Sequence, residues 1–272
     1  MISIINSISS LTAENALSNT QMNLQKTLTA LSTGLRINSG SDDAAGLSIA
    51  NGLQANISAL SQSSQNASDG IGVLQTADGA LSQVTTLLNR AVTLATEGSN
   101  GNLSTSQSTA LDTEYQSILS EINQIGSTTN FNGQSVFSAT ALATFTSDGT
   151  TAGTSTLSTT VGALSSTTLT LNSTDLTNSG NAATALTAIS AAVSSVAASR
   201  GSIGAAVNQL TADTNVENTE VTNLTSAQNN IQNADVSQTV ARMTQYNVLE
   251  QTGMAALSQS NQAQQAVEKL LQ

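Results

Sequence analysis

Asp42 and Asp43 form the one adjacent pair of carboxylates in the chain. Such a pair can serve as general acid and general base when its surroundings push the two pKa values apart. Nothing else in the sequence completes an active site. There is no His, Cys, Pro or Trp. Without His, neither a Ser-His-Asp nor a Cys-His triad can form, and the commonest zinc ligand is missing. Without Cys there is no thiol nucleophile and no disulfide framework. Lys26 and Lys269 are the only lysines, and each lies in a sparsely charged apolar stripe. The expectation is a chain that is no enzyme and takes no cofactor or metal.

The charge balance narrows the classes further. The 272 residues carry 6 basic and 17 acidic groups, a net charge of −11, and only 8% are charged, against about 25% in an average globular chain. An acidic surface disfavours nucleic acid, whose phosphates need clustered Lys and Arg. Apolar runs of only a few residues predict no membrane insertion. The opening stretch MISIINSISSLTAEN has neither the basic nor the long apolar region of a secretory signal peptide. Aromatics make up 2%, while Ser and Thr number 40 and 39. With no Pro, which costs about 3 kcal/mol inside a helix, this composition predicts long helices thinly packed by Leu, Ile, Val and Ala.

Heptad spacing supports that reading. Steps of three and four give a seam through Leu186, Ile189, Val193, Val196, Arg200, Ile203, Val207, Leu210, Thr214, Glu217, Val221, Leu224, Gln228 and Ile231. A second runs through Ile57, Leu60, Ser64, Ala67, Ile71, Leu74, Asp78, Leu81, Thr85, Leu88, Val92 and Ala95. A third and shorter one is Leu111, Tyr115, Ile118, Ile122 and Ile125, with EGSNGNLSTS (97–106) as the loop before it. Asn132-Gly133 signals a hairpin turn. Of the 42 residues from 138 to 179, 22 are Ser or Thr. Alternating pieces there, such as Leu169-Thr170-Leu171, suggest short strands.

The two ends are alike. Residues 1–35 carry only Glu14 and Lys26, and residues 243–267 only Glu250. Leu17, Leu24, Leu28, Leu31 and Leu35 make one apolar stripe; Val240, Met243, Leu249, Leu257 and Leu270 mark another. Neither stripe can be buried by its own helix, so the ends must pair with each other or with further copies. In the free chain they are expected to be largely unstructured. Between the first stripe and the next helix runs the link Gly34 to Gly40, flanked by Arg36, Asp42 and Asp43. Ser41 or Asp42 is the expected N-cap of a helix beginning near Ala44. The same three charged residues are expected to meet neighbouring copies as a connector.

Several ordered stretches resemble bacterial flagellin: LSTGLRINSGSDDAAGLSIA (31–50), SDGIGVLQTADGAL (68–81), NRAVTLA (89–95), TNFNGQSV (129–136), RGSIGAAVNQL (200–210) and AQNNIQNADVSQTV (227–240). The resemblance covers roughly residues 1–137 and 182–272; the middle is unlike. It implies a mainly α fold, an elongated rod of long helices with coiled-coil terminal helices and a small β-hairpin region. Residues 1–41 and 233–272 would form the inner coiled-coil domain. Residues 42–137 and 181–232 would form the rod domain, and 138–180 a short Ser/Thr-rich hairpin or variable region.

The resemblance also implies a function. The chain would be a subunit exported unfolded and assembled, with copies of itself, into the extracellular flagellar filament for motility. Its partners would be the flagellar type III export apparatus and an export chaperone, the filament cap and the hook–filament junction proteins. Arg90, Leu94 and Glu114 match positions by which flagellins are recognised by a Toll-like receptor of innate immunity. The rival readings are a hook–filament junction protein and a secreted monomeric adhesin or ligand.

Overall fold

A computed structural model describes residues 8–138, 141–147 and 156–270; the side chains of Ser9, Gln264 and residues 267–270 lie outside that description. Five helices carry the chain: α1 (Ile8–Thr33), α2 (Ala44–Gly98), α3 (Thr105–Thr128), α4 (Ser179–Gln232) and α5 (Val236–Leu270). Two antiparallel strand pairs join them, β1 (Asn130–Phe131) with β2 (Gln134–Ser135), and β3 (Leu142–Phe145) with β4 (Thr156–Thr159). The class is the mainly α fold with small hairpins that the periodicity and turn signals imply. Many helical Ser and Thr hydroxyls donate to the carbonyl one turn back, as Thr76 does to Gly72 (2.9 Å) and Thr214 to Leu210 (2.8 Å). A half-buried hydroxyl satisfied in this way needs no outside partner.

The chain forms two compact units: one is Asn56–Thr222, and the other joins the stretch up to Ala55 with the stretch from Asn223. The first holds almost all of the buried apolar side chains. Along α2 in this unit a buried seam runs through Leu60, Ser63, Ala67, Gly70, Leu74, Ala77, Leu81, Val84, Leu88, Ala91, Ala95 and Gly98, with Leu94 buried beside it. This is a seam in alternating steps of three and four, but it corrects the expected one at every second position. The burial goes to Ser63, Gly70, Ala77, Val84 and Ala91 rather than to Ser64, Ile71, Asp78, Thr85 and Val92. On α4 the same shift puts Ala185, Ala192 and Ala206 inside, with Leu186, Val193 and Val207 packed at the margin. Apart from Val84 these shifted positions hold small residues, which let the helices approach closely while larger side chains flank the contact. Asp78 and Arg200, both placed in the expected seams, instead flank them and pair across the two helices, Nε to Oδ1 at 2.7 Å and Nη2 to Oδ2 at 3.1 Å.

Helix α3 starts on a capping box, in which Ser104 accepts from the Gln107 amide and the Gln107 side chain accepts from the Ser104 amide. The expected loop is thus trimmed to residues 99–104. Asn132 and Gly133 both have positive φ (50° and 78°), the turn that a two-residue hairpin favours. Leu169-Thr170-Leu171 is not a strand. The Leu169 and Leu171 amides donate to Ser165 and Ser166 carbonyls, and Thr170 turns at φ 57°. Both leucines are buried all the same, so the alternation came from a turn that plugs the core. Polar side chains of α3 hold this plug: Asn123 accepts from the Ser166 amide (2.7 Å) and Asp112 from the Leu176 amide (2.8 Å). Buried Tyr115 meets the Thr174 hydroxyl at 2.5 Å.

By length and composition α4 is apolar enough to cross a bilayer, which short apolar runs did not predict. Its alanines raise the average without forming a greasy run. The same helix gives Ile189, Val196, Ile203 and Leu210 to a core shared with α2, the arrangement of a packed helix in a folded unit.

Candidate functional site

The terminal unit is built on an antiparallel helix pair. Ser10 meets Ser260 (2.9 Å), and the Gln21 amide group donates to Glu250 (3.2 Å). Between them Gly253 gives room to Leu17, whose Cδ1 would lie 3.3 Å from any added Cβ. The pairing ends in a short backbone ladder: Ala234 donates to Gly34 (2.9 Å), and Arg36 to Gln232 (2.7 Å). The described parts of the two ends are therefore helical and pair with each other within the chain.

The burial achieved by that pairing is incomplete. Among the described residues of α1 and α5, no apolar side chain is fully buried. Leu17, Leu24, Leu31, Leu35, Met243 and Leu257 are half-buried; Leu28, Val240 and Leu249 are exposed, and the Leu270 side chain lies outside the described residues. Ile8, Leu11, Met22, Val236, Val248 and Met254 are exposed as well. A fully buried side chain of this type contributes about 1.5–3 kcal/mol, so much of the stripe's burial energy is still unrealised. Scattered apolar side chains on a surface are ordinary, but nine of the thirteen large ones exposed among the described residues lie on this helix pair, a concentration that marks an interaction surface.

The connector is rigid by its own hydrogen bonds. Asp43, not Ser41 or Asp42, caps α2: its Oδ1 accepts from the Gly46 amide at 2.9 Å. A Cβ on Gly46 would lie 2.5 Å from the Asp43 carboxylate and 2.8 Å from buried Ile37, which accounts for the glycine in SDDAAGLSIA. Asp42 instead draws in the preceding turn. Its Oδ2 accepts from the Asn38 and Ser39 amides (3.2 and 3.0 Å) and from the Ser39 hydroxyl (3.0 Å). Those bonds, the hydroxyl's first, hold its carboxyl below the ordinary aspartate range. Arg36 reaches back to the Ile231 carbonyl with Nη2 at 2.6 Å. Thus Asp42 and Asp43 both hold backbone amides, and Arg36 holds a backbone carbonyl at the end of α4. Asp43→Ala is expected to destabilise the start of α2 by about 1 kcal/mol, read as faster amide exchange at Gly46 and Leu47.

An open cleft of about 630 Å³ lies in this unit, lined by Met22, Lys26, Arg36, Asp42, Asp235 and Arg242 among others. Three of the chain's six basic residues thus share one cleft. Residues 56–222, by contrast, hold eleven acidic groups against Arg90 and Arg200 alone, and both arginines are in ion pairs.

Arg90 and Glu114 come together, Nε to Oε1 at 2.7 Å, with both side chains about half exposed. The contact raises the pKa of Arg90 and lowers that of Glu114. Leu94 does not join them at the surface: it is 1% exposed and belongs to the core. Leu94 lies one turn beyond Arg90 and is rotated from it by about 40°, which brings it onto the buried face with Ala91 and Ala95. The positions that sequence reasoning missed are small or polar, namely Ser63, Gly70, Gly126 and Asp43. Spacing of large apolar residues carries no signal for them.

Comparison with known proteins agrees with this geometry. Residues 4–142 match the model for the bacterial flagellin N-terminal helical region, and residues 186–271 match that for the C-terminal helical region. A flagellin from Serratia marcescens is 45% identical over 140 residues, 51% of this chain and 40% of that protein. Flagellin 1 of Proteus mirabilis is 43% identical over 129 residues, 47% of this chain and 35% of that one. The chain spans well under half the length of these relatives. The crystal structure of Bacillus cereus flagellin is similar at a TM-score of 0.50 and 27% identity, covering 56% of this chain and 88% of that one. With both helical regions matched in order, over well more than half of its length, this chain belongs to the bacterial flagellin family.

Proposed function

We propose that the chain is a structural subunit that polymerises with its own copies into the extracellular bacterial flagellar filament and supports motility. The observation that carries this reading is the unfinished burial along α1 and α5. Leu17, Leu24, Leu28, Leu31, Leu35, Val240, Met243, Leu249, Leu257 and Leu270 would form the inner coiled coil, with residues 1–41 and 233–272 as its domain. The connector residues Arg36, Asp42 and Asp43 would meet neighbouring copies. Residues 42–137 and 181–232 would make the rod, and 138–180 the short Ser/Thr-rich hairpin or variable region. A contact between unlike faces of successive copies does not close on itself and so generates an open helical polymer.

The family is one of structural proteins, and the role proposed for this chain is structural. Its partners before assembly would be the type III export apparatus and a chaperone, and at the growing tip the cap and the hook–filament junction proteins. A host Toll-like receptor would meet the exposed Arg90–Glu114 pair, with Leu94 supporting the helix from beneath. Unchanged receptor affinity in Arg90→Ala would remove that contact from the account.

Seeded growth tests the main reading. Purified chain mixed with sheared filament fragments is expected to pass into the pellet on sedimentation and to show tubes by electron microscopy. A chain that stays soluble with seeds favours a monomeric ligand or adhesin. One that adds a single layer and stops favours a junction protein.

A further inference from the structure

Glu217 is the one buried acid of the α2–α4 seam, 6% exposed and facing no cation. Its Oε1 accepts from the Ser63 hydroxyl at 2.5 Å, and its Oε2 is buried with no hydrogen-bond partner. Such an orphaned carboxylate oxygen is costly and calls for an explanation. The surroundings offer no countercharge. On α2 there is no ionisable residue between Ala44 and Ser68, and Asp69 beyond is acidic. Strands β3 and β4 (LATF and TLST) carry none. On α4 itself the neighbours are Asp213 and Glu220, both acidic.

Ser63 is also placed beside the hairpin. Its Oγ lies 3.4 Å from the Phe145 carbonyl of β3. That strand sits hard on α2: a Cβ on Gly70 would fall 2.7 Å from the Thr144 hydroxyl. A hydroxyl has one hydrogen to give. When Glu217 is ionised, the Ser63 hydrogen goes to the carboxylate, and the Phe145 carbonyl loses it. When Glu217 is protonated, the acid O–H donates to Ser63 Oγ, and the serine hydrogen turns to Phe145.

We infer that Glu217 and Ser63 form a proton-operated latch that fastens the β3–β4 hairpin to helix α2 in the acid form and loosens it in the ionised form. The latch is a property of the single subunit and goes beyond the assembly reading. Burial pushes the Glu217 carboxyl up from the usual glutamate range, with Asp213 and Glu220 acting in the same sense and the Ser63 bond opposing them. A carboxyl raised on folding binds its proton more tightly in the native state, so its contribution is present at low pH and is lost as pH rises through the native value.

The test is an NMR titration of the full-length, unassembled chain. The Glu217 side-chain carboxyl carbon reports its proton. The amide nitrogen of Thr146, bonded directly to the Phe145 carbonyl, reports the latch. Both are expected to move with one midpoint. Glu217→Gln, whose amide donates to Ser63 as the protonated acid does, is expected to hold Thr146 at its acid-limit position at every pH. Hairpin amides in that variant should exchange roughly fivefold more slowly than in the parent above the midpoint, as for one added hydrogen bond. In Ser63→Ala, Glu217 should still titrate while Thr146 stays still. A Thr146 signal that ignores Glu217, or that titrates equally in either variant, overturns the latch.

Discussion

Gly126→Ala is expected to destabilise the folded unit of residues 56–222 by about 3 kcal/mol, the upper end for overpacking a core. A Cβ there would run into the Leu164 carbonyl, far inside van der Waals contact, and the obstacle is backbone rather than a side chain that can swing away. Leu164 belongs to the plug that Asn123, Asp112 and Tyr115 pin to α3. The plug therefore has to move as a piece, and its leucines with it. Gly79 supplies the contrast. It is exposed on α2, and an added methyl group would meet nothing within 4 Å. Gly79→Ala should stabilise the helix by up to about 1 kcal/mol. Denaturant unfolding followed by circular dichroism checks the pair. If both variants shift in the same direction, close packing at Gly126 is not what the glycine is for.

The second large effect concerns assembly and leaves the single chain nearly untouched. Leu28→Asn, Val240→Asn and Leu249→Asn together remove three exposed apolar side chains from the terminal pair. None is a core residue, so the stability of the free chain should change by no more than about 0.5 kcal/mol for each. In the polymer the same positions would be covered by neighbouring copies. Losing about 1 kcal/mol at each, less than full burial of a large side chain contributes, raises the critical concentration for growth roughly a hundredfold. Sedimentation of seeded mixtures over a concentration series measures it. A critical concentration equal to that of the parent would mean that these side chains do not face other copies.

Much of the architecture was legible because helical periodicity is a property of large apolar side chains. The positions of α2, α3 and α4 and the Asn132-Gly133 turn all came from that signal or from local turn chemistry. The fine register did not. Ile71 and Val92 attract attention as seam residues, yet Gly70 and Ala91 occupy the contact. A heptad pattern shows that a seam exists, whereas its axis depends on how closely two backbones approach. Only the partner helix settles that distance. Leu169-Thr170-Leu171 failed for a related reason: burial of residues two apart is common to a strand and to a turn that plugs a core. At the connector, the charge cluster was plain in the sequence. Which aspartate caps α2 hung on a one-residue choice that the Asp43 to Gly46 bond decides.

Charge tells a similar story. The acidic balance was plain, but its partition was not. Lys26, Arg36 and Arg242 converge on one cleft only after α1, the connector and α5 are folded together. Asp78 and Glu217 likewise look equivalent in the sequence, as acids at seam positions. Folded, they are opposites. Arg200 holds the Asp78 carboxyl below its ordinary range, so that contribution is lost as pH falls; it is small, since the pair is more than a third exposed. Glu217 faces no cation, and its contribution is lost as pH rises.

Hydrogen exchange followed by mass spectrometry, on the free chain and on the same chain after seeded growth, bears most directly on the terminal helices. Poorly buried segments open locally at low cost. Amides of α1 and α5 should therefore exchange orders of magnitude faster than those around Leu74 to Leu88 in the free chain, and should become protected in the pellet. Equal protection of both regions in the free chain, unchanged by seeds, would show that the terminal pair is complete by itself and has no need of other copies.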